Sequence, residues 1–150
     1  LSLLVTEVAE SYAPAFADDD RALDWAIAPD VEVLGDRELI AQALINLLDN
    51  AQVHTPPGTP VRLTLERGAD AAVITIADHG PGVAAGEHDR ILHRFARGEA
   101  SRTTPGNGLG LSLVAAVTAA HGGSITIADN RPGLRVTLRL PCRAGVNRQP

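Results

Sequence analysis

The stretch that most restricts the fold runs from Gly35-Asp36 to Ala51, where Leu39, Ile40, Ala43, Leu44, Leu47, Leu48 and Ala51 recur three and four residues apart. That spacing predicts a helix with one apolar side, because residues at these intervals share a face of a 3.6-residue repeat. Asp36 is placed to cap its first turn, and Pro56-Pro57-Gly58 closes it. A helix apolar on one side has to lie on another layer, and the segments around it supply a sheet. Val61, Leu63 and Leu65 alternate with polar residues, residues 73–78 run apolar into Asp78, and Gly68-Ala69-Asp70 between them predicts a hairpin. Ile125-Thr126-Ile127 and residues 134–140 predict a second hairpin around Arg131-Pro132-Gly133.

Elsewhere, Leu4, Val5, Val8 and Tyr12 predict an N-terminal helix ended by Pro14, and Asp18-Asp19-Asp20 reads as a solvated acidic loop. Residues 25–27 and 31–34 are expected as short strands around the Pro29-Asp30 turn. Residues 87–95 look helical, 96–107 read as a polar loop, and a helix from about Gly108 carries Leu111, Val114, Val117 and His121 to a Gly122-Gly123 stop. Strands paired mostly as antiparallel hairpins and interleaved with three helices predict an α+β fold. It is expected to be a two-layer α/β sandwich whose mixed, mostly antiparallel sheet packs on the helices.

A chain of 150 residues fits one domain, and 45% apolar against 3% aromatic residues implies an aliphatic core. The net charge of −5 speaks against a nucleic-acid surface. The lone Cys142 allows no internal disulfide and suits a reducing compartment. No apolar run is long enough to span a bilayer, and a first residue of Leu leads us to expect a fragment of a longer protein. All thirteen basic residues are arginine, so no lysine exists to serve a P-loop.

Three groups of residues carry candidate chemistry. Asn46, Asn50 and His54 stand four apart, which aligns them on one face of the long helix, expected to lie opposite its leucines. Such a face equally suits plain solvent exposure, but asparagine is a poor residue for a helix interior, and an amide oxygen suits Mg²⁺. Asp78 ends a strand in phase with Ile74 and Ile76, so its carboxylate is expected over the core, and Gly80 and Gly82 let a flat ligand approach the backbone. An adenine amine would suit that carboxylate, although the same residues also make an ordinary turn. Gly106, Gly108 and Gly110 lead into a helix whose first amides could bind phosphate, too late in the chain for a dinucleotide fingerprint. His79, His88, His93 and His121 match no zinc spacing and read as ordinary polar or capping residues.

With these residues in place, nearly the whole chain resembles the catalytic, ATP-binding domain of bacterial sensor histidine kinases, a branch of the Bergerat-fold ATPases. Residues 46–56 look like the N box, Asp78 to Gly82 the G1 box, Ile91 to Gly98 the F box and Gly106 to Leu111 the G2 box. Residues 119–125 and 138–141 are similar to the family's C-terminal pattern. The resemblance implies ATP and Mg²⁺ as cofactors. It implies Asn50 as the metal ligand, Asn46 near the phosphates as a catalytic residue, His54 at the nucleotide, and Asp78 with Gly80 and Gly82 at the adenine. Phe95 would anchor a lid, while Gly106, Gly108, Leu109, Gly110 and Leu111 would face the phosphates. Arg97 would be a second catalytic residue, steadying charge on the γ-phosphate. The chain departs from the family at Val53, where a Lys or Arg is usual; Arg97 or Arg102 would compensate.

The family's phosphoacceptor signature, His-Glu-x-Arg-Thr-Pro-Leu, is absent from this sequence. The resemblance therefore implies a kinase domain that delivers the γ-phosphoryl group of ATP to a histidine on a separate dimerisation domain. On this reading residues 1–14 are the end of a linker helix, 15–142 the catalytic domain and 143–150 a flexible tail. The whole protein would be a homodimer, anchored in the plasma membrane with this domain in the cytoplasm, and served by a response regulator. Hydrolytic relatives carry a Glu at the place of Asn46, and an amide cannot accept that proton. An anti-sigma-factor-type serine kinase and a non-catalytic nucleotide-binding regulator are the alternatives.

Overall fold

The computed structural model describes residues 1–83 and 110–142. Within them the elements run α1 (Ser2–Asp18), β1 (Leu23–Ile27), α2 (Arg37–His54), β2 (Val61–Arg67), β3 (Ala71–Asp78), α3 (Gly110–Ala120), β4 (Ser124–Asp129) and β5 (Leu134–Pro141). The strands form a single sheet in the order β1-β2-β3-β5-β4. β1 runs parallel to β2 through the α2 crossover, and every other pair is antiparallel. This is the expected mixed, mostly antiparallel sheet.

The helices cover one face in the same order as the strands beneath: α1 over β1 and β2, α2 against β3, α3 over β4 and β5. Between the layers lies an aliphatic core in which Leu44, Leu48, Leu63, Leu65, Ile74 and Leu138 are almost wholly enclosed. α2 starts where its sequence says, with Asp36 Oδ1 accepting from the main-chain N–H groups of Glu38 (2.9 Å) and Leu39 (3.0 Å). His121, just past α3, accepts at Nε2 from the N–H of Asp36 (2.9 Å) while Nδ1 donates to the carbonyl of Val117 (2.7 Å). The C-terminal end of α3 is thereby tied to the start of α2.

On the uncovered sheet face Thr64, Thr75, Thr137 and Thr126 stand in register across β2, β3, β5 and β4. Arg62, Ala77, Arg135 and Ala128 form the adjoining row. No helix among the described residues is long and apolar enough to cross a membrane.

Four expectations are corrected. α1 does not end at Pro14 but continues to Asp18, because Phe16 two residues on is fully buried and holds the last turn in place. Residues 31–34 form no strand; Val33 makes only an isolated bridge to Cys142. Leu39 is exposed, since it lies seven residues before Asn46 and shares that azimuth rather than the buried stripe. Asp19 is not simply solvated: its carboxylate pairs with the buried Arg21 and accepts from Gln52 Nε2 at 3.0 Å. The helix expected over 87–95 and the loop over 96–107 lie outside the described residues.

Truncating the core under α2 should cost more than uncapping it. In urea denaturation Leu44→Ala is expected to lose about 2–5 kcal/mol, and Asp36→Ala about 1 kcal/mol.

Candidate functional site

α2 carries the site, and two other segments meet it at different heights. The first is the start of α3. A Cβ on Gly110 would lie 3.4 Å from Asn50 Nδ2, 3.5 Å from Asn50 Oδ1 and 3.8 Å from Asn46 Cβ, so the N-terminal end of α3 sits beside both carboxamides. Asn46 and Asn50 are accordingly half-buried: they flank the leucine stripe where α3 packs, rather than opposing it. Asn50 Nδ2 is buried without a hydrogen-bond partner among the described residues. A buried polar atom left unpaired costs about 1–3 kcal/mol, which marks this carboxamide as one whose partner comes from outside the packed body. A helix N-terminus beside two uncharged amides suits an anionic group and its counter-ion.

The second meeting point is the end of β3. Asp78 is buried on the core side, as its phase with Ile74 and Ile76 requires. Its Oδ1 accepts from the main-chain N–H groups of Gly80 (2.9 Å) and Leu134 (3.2 Å), and its main-chain carbonyl accepts from Asn130 Nδ2 (2.7 Å). No cation pairs with the carboxylate among the described residues, and backbone donors hold it in place. Oδ2 accepts no hydrogen bond from the described residues and stays available to an incoming donor. Two glycines permit this packing. Gly133, at φ +108, would place a Cβ 1.9 Å from the Asp78 carbonyl oxygen, and Gly80 would place one 2.8 Å from Thr55 Cγ2.

Thr55 caps the C-terminal end of α2, so the carboxylate and the amide pair are both registered against one helix. Thr55 lies five positions after Asn50, a rise of about 7.5 Å along the axis. An acceptor for a planar donor thus stands at one end, and an amide pair with a helix N-terminus at the other. Beside the pair, the Tyr12 hydroxyl donates to Asp49 Oδ1 at 2.7 Å and ties α1 to α2. Burial, and then that carboxylate, push the phenol well above its usual range. At the foot of α2, the Gln52 amide and the Arg21 charge hold the Asp19 carboxyl below the usual range.

Of the other expected site residues, His54 ends α2 exposed, Gly82 follows the β3 turn, and Leu111 packs against the core in the first turn of α3. Val53 is exposed on α2. Phe95, Arg97, Arg102, Gly106, Gly108 and Leu109 lie outside the described residues. Sequence reasoning overlooked Thr55, Gly133 and Leu134. Gly133 was recognisable as a turn residue, but its contact with Asp78 depends on the β3–β5 register, which no local pattern reports.

Comparison with known proteins finds relatives of this chain in sequence and in fold. Residues 35–144 match the family described as histidine kinase-, DNA gyrase B-, and HSP90-like ATPase. The chain is 38% identical over 143 residues to the probable sensor histidine kinase TcrY of Mycobacterium tuberculosis, covering 94% of this chain and 30% of TcrY. It thus spans less than a third of that relative's length. The solved structure of the mycobacterial sensor histidine kinase MprB superimposes with a TM-score of 0.76 at 30% identity, covering 93% of each chain. Full-length ShkA in complex with AMPPNP gives 0.80 at 30% identity, covering 96% of this chain and 30% of ShkA.

Gly133→Ala should be among the most damaging glycine changes, because the new methyl group meets backbone rather than a flexible side chain. A loss of at least about 2 kcal/mol is expected in thermal or urea unfolding.

Proposed function

Because the chain belongs to the histidine kinase-, DNA gyrase B-, and HSP90-like ATPase family, we propose that it is the ATP-binding catalytic domain of a sensor histidine kinase, transferring the γ-phosphoryl group of ATP to a histidine on a separate domain. The observation that carries this reading is the pairing of a backbone-held carboxylate at the C-terminal end of α2 with an amide unpartnered among the described residues, and the N-terminal end of α3, about one turn earlier along the same helix. A base-and-phosphate ligand matches both groups at once. ShkA, solved with AMPPNP, supports an adenine nucleotide as that ligand.

In the proposed roles, Asp78 Oδ2 accepts the exocyclic amine of adenine, whereas guanine would set a carbonyl against the carboxylate and be rejected. Gly80 and Gly82 leave the base room beside the backbone. Asn50 fits Mg²⁺, since its Nδ2 has no hydrogen-bond partner among the described residues and an amide oxygen suits this ion. Among the described residues no cluster of three or more His, Cys, Asp or Glu could hold a metal, so further ligands would be phosphate and water oxygens, as this ion prefers. When bound, the ion would neutralise charge on the phosphates. Asn46 lines the phosphate end with His54 below it, and as an amide Asn46 cannot deprotonate water, which keeps hydrolysis slow and reserves the phosphoryl group for transfer. Gly106, Gly108, Leu109, Gly110 and Leu111 complete the phosphate side, Phe95 anchors the covering segment, and Arg97 stabilises charge on the γ-phosphate. Transfer then depends on positioning and charge stabilisation.

For the whole protein we propose a homodimer in which residues 1–14 lead in from the phosphoacceptor domain, a response regulator receives the phosphoryl group, and this domain lies in the cytoplasm of a membrane-anchored sensor. A non-catalytic nucleotide-binding regulator is the second reading, favoured by the exposed Val53 where a basic residue is usual. Transfer from ATP to a supplied dimerisation domain separates the two.

Calorimetry should show ATP binding more tightly than GTP, and equal affinities would remove Asp78 from its role. Asn50→Ala should abolish the Mg²⁺ dependence of nucleotide binding; if that dependence survives, the metal sits elsewhere. Arg97→Ala should slow transfer by at least about tenfold with little change in ATP affinity, and an unchanged rate would refute its role.

A further inference from the structure

We propose that Arg21 is a positioning residue for the base end of the nucleotide site, setting adenine selectivity through Thr55 and Gly80. The inference rests on the reading of Asp78 as the adenine acceptor. Arg21 stands in the α1–β1 connection, contacts neither Asp78 nor Asn50, and is almost fully buried. Its Nη2 donates to the carbonyls of Gln52 (2.9 Å) and Thr55 (2.6 Å), which belong to the C-terminal end of α2. Its Nη1 pairs with the Asp19 carboxylate, which also accepts from Gln52 Nε2. The guanidinium fork thus holds the last turn of α2 at two carbonyls, where the helix dipole favours a cation, and its Asp19 partner adds a third link.

From there a short relay reaches the base acceptor. Thr55 leaves the helix with its hydroxyl bonded to the Ala51 carbonyl (2.6 Å), which fixes the direction of Cγ2. That methyl group packs where a Gly80 Cβ would stand, and the Gly80 N–H holds Asp78 Oδ1. A shift of Thr55 therefore moves Gly80, and with it the orientation of Oδ2. The connection is itself anchored, because the carbonyls of Asp19 and Ala22 accept from the N–H groups of Gly58 (3.2 Å) and Val61 (2.8 Å). Arg21 Nε is buried and unpaired among the described residues, so the side chain carries a desolvation cost that an apolar residue of similar volume would avoid. A role in geometry accounts for a guanidinium kept under that cost.

The test measures affinities of the 150-residue chain for ATP, GTP and inorganic tripolyphosphate, the last probing the phosphate end alone. Arg21→Ala is expected to reduce the ATP-over-GTP preference about tenfold while tripolyphosphate affinity changes by less than about twofold. Arg21→Lys, which keeps the charge but loses the fork, should fall between. Preference retained in the folded variants would overturn the proposal, and so would a proportionate loss for all three ligands, the mark of a purely structural role. Should Arg21→Ala not fold, Arg21→Lys and Asp19→Asn carry the same comparison. A wild-type chain that does not prefer ATP would instead overturn the reading of Asp78, which separates the two failures.

Discussion

The unbroken apolar stripe from Ile40 to Ala51 is what every other feature leans on. Burying it fixes α2 in height and rotation against the sheet, and each fully enclosed leucine contributes about 1.5–3 kcal/mol to keeping it there. Because α2 cannot slide, the Asn46 and Asn50 carboxamides on its flank and Thr55 at its end are held at a constant separation. β3 and α3 then need only pack normally to bring Asp78 and Gly110 into register with them. The site needs no dedicated scaffold beyond the core.

Local signals carried the sequence reading a long way. α2 declared itself through periodicity and its Asp36 cap, β2 through alternation, and both hairpins through their turn residues, since each pattern depends on neighbours a few positions away. The box residues Asn46, Asn50 and Asp78 could also be picked out, because polar groups in phase with apolar ones break a regular rule. Readings failed where a distant contact decided the outcome. Phe16 buries and carries α1 past Pro14. Asn50 is half-buried rather than turned to solvent because α3, sixty residues later, packs against its flank of the helix. Asp19 read as part of a solvated acidic loop, whereas it pairs with Arg21, which is enclosed by the end of α2. The Gly133 contact with Asp78 likewise exists only once β5 has paired with β3.

Asp78 illustrates how such a fold keeps a carboxyl group under cover. Main-chain N–H groups engage one of its oxygens, and their positions follow from the sheet and a turn rather than from mobile side chains. Among the described residues no arginine pairs with the carboxylate to compete with a ligand for the second oxygen. The geometry is rigid because the donors are backbone, which is the condition under which a single acceptor can discriminate between two bases.

The row of threonines across the bare side of the sheet bears on how the protein survives in a crowded cell. A two-layer fold leaves one sheet face wet, and filling it with valine or isoleucine would suit the strands equally well while inviting other chains to stick. Threonine keeps the β-branched shape that pleated strands favour but ends in a hydroxyl, and the adjoining arginines add charge. The sheet itself separates that face from the side on which Asn50 and Asp78 lie. Evolution can therefore rewrite the outer face for solubility or for new neighbours without disturbing the nucleotide side, and the two surfaces are free to drift at different speeds.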